Sequence, residues 1–195
     1  MRFSRRLAIM ARVPRAGAVK SRLARDIGPA PAAFIYRHLL ARTLRVLGRD
    51  PRWRTILAVT PDAAAPRSGG IPQGPGDLGQ RMDRIMHALP PGPVVIVGTD
   101  IARISAADVA RAFAALGTAD AVFGPADDGG YWLVGLKRRP RVPSIFGRVR
   151  WSSEHALADT LENCTGLDVA MLDTRADIDT GEDYRAFLAS GGLRL

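Results

Sequence analysis

Residues 94–97 constrain the fold more than any other stretch, because four branched apolar residues (Val-Val-Ile-Val) stand in a row. A run of this kind suits a strand that is buried on both faces of a parallel sheet. Asp100 follows two residues after Gly98, and ligands of open α/β sheets bind beyond the carboxyl ends of the strands. We therefore expect Asp100 to hold a divalent cation against a phosphate-bearing ligand. The alternative is an ordinary loop or helix-capping aspartate.

The rest of the chain alternates between strand-like and helix-like patterns. Strands are predicted over 6–11, 53–60, 94–97, 119–123, 131–136 and 167–172. Helices are predicted over 31–47, 77–89, 105–116 and 153–163, with a last one from about 180 and a long loop over 61–76. This alternation predicts a three-layer α/β domain with a mostly parallel central sheet, and we expect one domain over residues 1–195.

Length and composition fit an ordinary globular protein. The chain has 195 residues, of which 47% are hydrophobic, and no apolar run approaches the roughly 20 residues that span a bilayer. Cys164 is the single cysteine, so no disulfide can form within the chain. We therefore predict a cytoplasmic protein without a membrane span, and we assign Cys164 to packing.

The net charge of +9 raises the question of nucleic acid binding. Nearly all of the basic residues are arginines dispersed along the chain, with one cluster at 137–141, and aromatics make up only 6%. No nucleic-acid-binding motif is present, and aromatic residues do not alternate with the basic ones. The charge predicts a solvated surface whose field attracts small anionic ligands, and no nucleic acid partner.

The loop after the first predicted strand carries a candidate phosphate site. Gly17 permits unusual backbone angles, and Lys20 and Arg22 stand just beyond it. The spacing is that of neither a Walker motif nor a dinucleotide fingerprint. Phosphate binding and plain surface charge both remain open for these two basic residues.

A second glycine-rich stretch, Gln73 to Arg81, ends the long loop and opens a helix. Its backbone at Gly76 and the Arg81 side chain on the first turn could approach a bound nucleotide. The sequence Pro-Gly-Asp also fits an ordinary turn followed by a helix cap, and the two interpretations are equally supported.

Two further acidic motifs contain candidate site residues. Asp127 and Asp128 precede two glycines between apolar strands, a pattern typical of a hairpin turn that could also line a site. Asp177 and Asp179 are two apart, so an extended backbone would present both carboxylates to one Mg²⁺ ion. The alternative is that Asp179 or Thr180 caps the last helix, which leaves Asp177 without a role.

Other metal and nucleophile chemistry is not supported. The three histidines are isolated and Cys164 has no partner at ligand spacing, so no zinc site is predicted. No Gly-x-Ser-x-Gly nucleophile motif is present.

Taken in order, these motifs resemble the bacterial selenodomain-associated transferases, which belong to the nucleotide-diphospho-sugar transferase superfamily and have a GT-A-like fold. The resemblance covers nearly the whole chain, and related folds include the guanylyltransferases of cofactor F420 and molybdenum cofactor synthesis. It is carried by Pro14 to Leu23, Gly76 to Met82, Gly98-Thr99-Asp100, Gly124 to Tyr131, Trp151-Ser152-Ser153 and Asp177 to Thr180.

The resemblance implies a Rossmann-like GT-A domain with a nucleotide at its amino-terminal loop. It implies that Lys20 and Arg22 lie near phosphates, that Asp100 is a metal ligand with Asp177 and Asp179 assisting, and that the turn at 127–131 is on the acceptor side. One departure stands out. The family usually has Ser-Pro and then an acid after the metal-type aspartate, whereas Ile101-Ala102-Arg103 follow Asp100 here.

These observations predict a transferase that depends on Mg²⁺ or Mn²⁺ and moves a glycosyl group from a nucleotide sugar to a small-molecule acceptor. The metal, Lys20 and Arg22 would neutralise the leaving diphosphate, and Asp127 or Asp128 would orient or deprotonate the acceptor hydroxyl. The first alternative is nucleotidyl transfer with release of pyrophosphate. The second is a nucleotide-binding module without catalysis, which Ile101-Ala102 motivate.

Overall fold

A computed structural model describes residues 4–101, 103–189 and 191 of the chain. Its strands are β1 (Arg6–Arg12), β2 (Arg54–Thr60), β3 (Ile71–Pro72), β4 (Val94–Val97), β5 (Ala121–Pro125), β6 (Tyr131–Leu136) and β7 (Val169–Met171). Its helices are α1 (Ser21–Ile27), α2 (Pro29–Leu47), α3 (Ala65–Ser68), α4 (Leu78–Ala88), α5 (Ala106–Ala115), α6 (Ala156–Glu162) and α7 (Gly181–Ala189), and a 3-10 helix covers Asp62–Ala64.

The strands form one seven-stranded sheet in the order β3-β2-β1-β4-β6-β5-β7. Among these described strands, β6 is antiparallel to both of its neighbours, and the other pairings are parallel. The predicted mostly parallel α/β fold is therefore confirmed. Strand β4 is buried along its whole length, as its apolar run predicted.

Two apolar clusters cover the two faces of the sheet. On one face, Leu7, Ile9 and Val95 pack with residues of α2 and α5, including Leu47 and Phe113. On the other face, the sheet packs against α4, α6 and the turn that follows α6, through residues that include Met82, Met86 and Cys164. Successive side chains of a strand point to opposite faces of the sheet. One residue therefore packs against the helices on one face and its neighbour against the helices on the other, which gives the three-layer arrangement.

The structure departs from the sequence prediction in two loops. The helix α1 was not predicted, and the stretch over 61–76 contains a 3-10 helix, α3 and β3 instead of being a loop throughout. These elements are short, between two and seven residues, so they carry little periodic signal and depend on tertiary packing. Asp77 caps α4 in a capping box with Gln80, as the turn-and-cap interpretation of Pro-Gly-Asp predicted, and Ser105 forms a second capping box with Asp108 at the start of α5.

The order of the strands creates a switch point. From β1 the chain proceeds outward through β2 and β3 on one side, and then returns to place β4 on the other side of β1. Because β1 and β4 are parallel, their carboxyl ends open side by side between diverging connections. Ligands of open α/β sheets bind in this position.

Candidate active site

A cavity of about 860 Å³ lies at the carboxyl ends of β1 and β4, a size in the range of small-molecule binding sites. The loops after both strands line it, together with the first turns of α4, the β5–β6 hairpin and the segment before α7. Eight of the ten residues predicted for the site line this cavity: Gly17, Lys20, Arg22, Arg81, Asp100, Asp128, Asp177 and Asp179.

Lys20 is the centre of the charged part of the cavity. Its Nζ lies 3.0 Å from Asp100 Oδ1 and 2.8 Å from Asp179 Oδ1, and its side chain is only 3% exposed. Its backbone has φ 50° and ψ 53°, the left-handed region that non-glycine residues rarely occupy. Burial alone lowers the pKa of Lys20, but the two carboxylates outweigh it and the pKa lies above its ordinary value. The ammonium group is therefore charged throughout the physiological pH range.

The loop that carries Lys20 is fixed from within. Gly17 adopts φ 77° in a turn closed by the Ala18 amide, which donates to the Arg15 carbonyl oxygen over 3.0 Å. Arg22 is more than half exposed, and its Nη1 lies 3.4 Å from Asp179 Oδ2. Arg22 can thus turn toward a ligand with less reorganisation than Lys20.

Asp100 does not cap a helix, because the next helix begins at residue 106 and Ser105 caps it. The capping alternative is therefore wrong for this residue. The Asp100 carboxylate is 46% exposed into the cavity, while its carbonyl oxygen accepts a hydrogen bond from the Ile178 amide over 3.3 Å. This backbone contact brings the segment before α7 to the end of β4.

The paired carboxylates Asp177 and Asp179 lie on the cavity side of that segment, as their spacing predicted. Ile178 between them is 2% exposed and packs with Leu23 and Ile35 in the opposite direction. Thr180 serves as the cap of α7, since the Asp183 amide donates to its hydroxyl over 3.2 Å. Asp179 is therefore available to Lys20.

The pKa of Asp177 reflects its burial and the charges around it. Burial, followed by the neighbouring carboxylates of Asp179 and Asp128, raises the pKa of Asp177 to about 6, against a lowering by Lys20. Burial disfavours the charged form of a carboxyl, and nearby carboxylates add to this effect. A cation bound beside Asp177 would relieve both contributions.

The two aspartates of the β5–β6 hairpin are placed differently. Asp128 lines the cavity, and its Oδ1 accepts a hydrogen bond from the Gly130 amide over 2.9 Å, which leaves Oδ2 for other partners. Asp127 is exposed and does not line the cavity, and its amide donates to the Arg175 carbonyl oxygen. The hairpin prediction is correct, and the geometry brings only Asp128 to the site.

Of the two candidate residues near the start of α4, Gly76 and Arg81, only Arg81 reaches the cavity. Arg81 lines the cavity with its Nε held by the Gly76 carbonyl oxygen at 2.9 Å. Gly76 itself lies outside the cavity, beside Gln80, so its role in the structure is to fix Arg81.

Of the unusual residues after Asp100, Ile101 is 4% exposed within an apolar cluster, and Ala102 lies outside the described residues.

Sequence reasoning missed two polar residues at the floor of the cavity. The Tyr36 hydroxyl of α2 accepts hydrogen bonds from the Arg12 amide over 2.8 Å and from Thr99 Oγ1 over 3.1 Å. Gln73 is 4% exposed, and its Nε2 donates to the carbonyl oxygens of Ala11 and Ala58. Both residues satisfy backbone hydrogen-bonding groups where the strands diverge, and no local pattern in the sequence marks either of them.

Metal binding can be judged from the donor set. Within the described residues, no group of three or more His, Cys, Asp and Glu side chains is arranged to hold a metal ion. Mg²⁺ commonly takes only one or two carboxylates and completes its shell with phosphate oxygens and water. One or two of Asp100, Asp177 and Asp179 would be enough for such a site together with a phosphate-bearing ligand, and their role as metal ligands stays a prediction. In the same described part of the chain, no helix has the length and apolar character needed to cross a bilayer.

The fold matches that of a nucleotide-diphospho-sugar transferase. A crystal structure from Desulfovibrio desulfuricans G20, provisionally designated a nucleotide-diphospho-sugar transferase, is 29% identical to this chain with a TM-score of 0.89. The match covers 97% of this chain and 88% of that one. The chain belongs to the family described as "Uncharacterized protein conserved in bacteria (DUF2064)", whose model matches residues 43–153.

More distant structures share the fold. One is CMP:2-keto-3-deoxy-manno-octonic acid synthetase complexed with CTP, with TM-score 0.56, 15% identity and coverage of 97% of this chain and 100% of that one. Another is Rv0371c of Mycobacterium tuberculosis H37Rv in complex with manganese, with TM-score 0.54, 17% identity and coverage of 96% and 100%. No curated protein matches the chain. A link to selenodomain-associated proteins stays a prediction.

Proposed function

We propose that this protein transfers a glycosyl group from a nucleotide sugar to a small acceptor, with a divalent metal ion bound beside the diphosphate. The observation that carries the proposal is the buried ammonium group of Lys20 between Asp100 and Asp179 at the switch point of the sheet. A cation and carboxylates that meet at this position suit a metal–diphosphate ligand. The similarity to the Desulfovibrio protein supports the same class of reaction.

Lys20, Arg22 and Arg81 are the residues that would bind the phosphate groups. Lys20 is fixed in place by its two carboxylate partners and Arg81 by the Gly76 carbonyl oxygen, whereas the exposed guanidinium group of Arg22 is able to adjust. Asp100 would hold the metal ion, with Asp177 and Asp179 on the same wall. A bound Mg²⁺ or Mn²⁺ supplies neutralisation of the charge that develops on the leaving diphosphate.

Asp128 is the residue best placed to act on the acceptor. In the transfer, the acceptor oxygen bonds to the anomeric carbon while the bond from that carbon to the diphosphate oxygen breaks. The nucleoside diphosphate leaves, and the acceptor proton passes to the free Oδ2 of Asp128. The carboxylate lies in the cavity on a hairpin that its own hydrogen bond to Gly130 makes rigid.

Nucleotidyl transfer is the second candidate, and the CTP complex of a protein with the same fold favours it. In that reaction an acceptor phosphate or carboxylate attacks the α-phosphorus of a nucleoside triphosphate, and pyrophosphate leaves. A binding module without catalysis is the third candidate, because Ile101 is turned into the apolar core where the family resemblance expects a small polar residue.

Two panels separate these candidates. The protein and Mn²⁺ are incubated with nucleotide sugars and, separately, with nucleoside triphosphates, and Asp100→Asn serves as the blank. We expect slow release of a nucleoside diphosphate from at least one nucleotide sugar, because water can replace the acceptor. Release of pyrophosphate from a triphosphate alone would favour nucleotidyl transfer. Nucleotide binding without either product would favour the module.

Binding itself is tested by thermal denaturation. A ligand at about 100 times its Kd stabilises the native state by about 2.7 kcal/mol. Each kcal/mol moves the melting temperature of a domain of this size by roughly 2–4 °C. At least one nucleoside diphosphate with Mg²⁺ or Mn²⁺ should therefore raise the Tm by several degrees. Unchanged melting curves across all common nucleotides at millimolar concentration would contradict the proposal.

A further inference from the structure

We infer that the indole ring of Trp151 is a binding platform for a polyhydroxylated ring, supplied either by the sugar of the donor or by the acceptor. This inference rests on the proposed function and names the ligand class that the uncharged part of the cavity would take. Trp151 lines the cavity together with Tyr131 and Leu78.

Trp151 differs from the other two tryptophans of the chain. Trp53 and Trp132 are 7% and 4% exposed, and their indole N–H groups donate to the backbone carbonyl oxygens of Leu47 and Asp173. Trp151 is partly exposed, and no described residue accepts a hydrogen bond from its Nε1. Among the described residues, this Nε1 is therefore neither hydrogen-bonded nor fully buried, which leaves it as a donor for a ligand in the cavity.

The position of the indole is set by close packing. A Cβ atom at Gly79 would lie 2.5 Å from Cζ2 of Trp151 and 2.7 Å from the Phe146 carbonyl oxygen, so only glycine lets the ring lie against the first turn of α4. Tyr131 meets the indole edge-on, with ring centroids 6.3 Å apart and an interplanar angle of 76°. Phe146 supports it from a third direction at 6.5 Å. The ring therefore has one defined orientation.

The backbone around Trp151 is held in an unusual conformation. Arg148 and Ser152 adopt φ 57° and 60°, a region that non-glycine residues occupy only when the surroundings enforce it. Arg150 provides part of this constraint, because its guanidinium donates to both carboxylate oxygens of Asp159 over 2.9 and 2.7 Å. The Leu157 amide provides another part, donating to the Gly129 carbonyl oxygen over 3.0 Å. Strained conformations of this kind cluster at ligand sites.

The groups beside the indole indicate which ring it suits. Ser152 and Glu154 follow Trp151 along the cavity wall, and Asp128 lies on the hairpin that packs against this segment. The face of an indole ring packs against apolar C–H groups, and hydroxyl and carboxylate oxygens accept hydrogen bonds from hydroxyl groups. A sugar ring presents both kinds of surface, an apolar face and a hydroxylated edge. Carboxylates on this wall also disfavour an anionic group.

The test compares each nucleoside diphosphate with its sugar conjugate. Affinities of UDP and UDP-glucose, and of GDP and GDP-mannose, are measured by calorimetry with Mn²⁺ for the wild type and for Trp151→Ala, Trp151→Phe and Gly79→Ala. If the donor sugar stacks on the indole, at least one conjugate binds wild type about tenfold more tightly than its diphosphate, and Trp151→Ala and Gly79→Ala lose that preference. Trp151→Phe should keep part of this preference for the sugar conjugate. It therefore still tests the inference if the alanine variant does not fold.

Tryptophan fluorescence provides the second readout and distinguishes the two sources of the ring. A change on adding UDP-glucose or GDP-mannose, but not the diphosphate, assigns the platform to the donor sugar. A change only when methyl glucoside or methyl mannoside joins the diphosphate complex assigns it to the acceptor. Either fluorescence change should vanish in Trp151→Phe and persist in the control variant Trp53→Phe. The indole of Trp53 packs on Phe113 away from the cavity.

The other outcomes overturn the inference. Equal sugar dependence in wild type and Trp151→Ala would show that the indole does not contact the sugar. A loss of affinity for the diphosphate itself, with the sugar preference unchanged, would make the indole a platform for the base. Absence of any sugar-dependent signal while the diphosphate binds would refute the platform and leave the proposed function standing. Absence of all nucleotide binding to wild type would refute both.

Discussion

Lys20 Nζ lies 2.8 Å from Asp179 Oδ1, although 159 positions separate the two residues in the chain. The contact joins the loop after β1 to the segment before α7, and the same ammonium group reaches Asp100 at the end of β4. Three distant parts of the sequence thus converge on one charge at the switch point of the sheet. Its consequences can be tested one residue at a time.

Replacement of Lys20 by methionine should abolish most nucleotide binding. The variant keeps the length of the side chain but removes the charge, and a hydrogen bond to a charged group contributes about 1.5–3 kcal/mol. We expect the Kd of the best nucleoside diphosphate to rise about ten- to a hundredfold, measured by calorimetry. Arg22→Met is the matched control, since it removes an exposed partner of the same carboxylate. An equal or larger effect of Arg22→Met would contradict the central place of Lys20.

Asp100→Asn should remove the metal-dependent part of the nucleotide-induced rise in Tm. The carboxylate is 46% exposed and the buried Lys20 keeps Asp179 as its second partner, so loss of this ion pair should cost the free protein only about 1 kcal/mol. Asp77→Ala offers the opposite pattern, because Asp77 caps α4. It should lose about 0.5–2 kcal/mol of stability and retain the metal-dependent shift. If Asp100→Asn behaved like Asp77→Ala in thermal denaturation, the metal role of Asp100 would be wrong.

Asp128→Asn and Asp127→Asn form a pair that tests the base. The two residues are adjacent and exposed, but only Asp128 lines the cavity. Removal of a general base commonly lowers kcat by 10²–10⁴-fold, whereas a carboxylate outside the site should leave kcat within about twofold. The measurement is the rate of diphosphate release from the donor found in the panels, with water as the acceptor. A large loss in Asp127→Asn, or none in Asp128→Asn, would reject this assignment.

Asp177→Asn should stabilise the metal-free protein at neutral pH. The folded-state pKa of Asp177, about 6, lies above the ordinary value of 3.8, so the folded protein binds more protons between these values than the unfolded chain. The free energy of unfolding therefore falls as the pH rises from about 4 to about 6, and the unfavourable effect is complete above that range.

Asp177→Asn has no carboxyl group that titrates at this position. With allowance for solvent screening of a partly exposed group, we expect it to gain about 1–2 kcal/mol over wild type at pH 7.5 and nothing at pH 4. Urea denaturation with a chelator present measures the difference, and Asp127→Asn serves as the exposed control. A gain that is independent of pH would show that the carboxyl does not titrate as described.

Local patterns in the sequence determined six of the seven described strands, all but the two-residue β3, and the chemistry of the site residues. The apolar run at 94–97 required a buried strand, and the spacing of Asp177 and Asp179 placed both carboxylates on one side with Ile178 on the other. The capping boxes at Asp77 and Ser105 are local features of the same kind, because each depends on residues only three positions apart. Each of these features rests on short-range geometry that the chain carries with it.

Only the tertiary structure decided which of these residues share a cavity. Asp127 and Asp128 are equivalent as sequence, but the register of the β5–β6 hairpin turns one toward the cavity and the other away. Gly76 and Arg81 were predicted together, yet the helix directs only Arg81 inward. The meeting of Lys20, Asp100 and Asp179 depends on the order of strands in the sheet, which is fixed by packing of both its faces and by no local pattern.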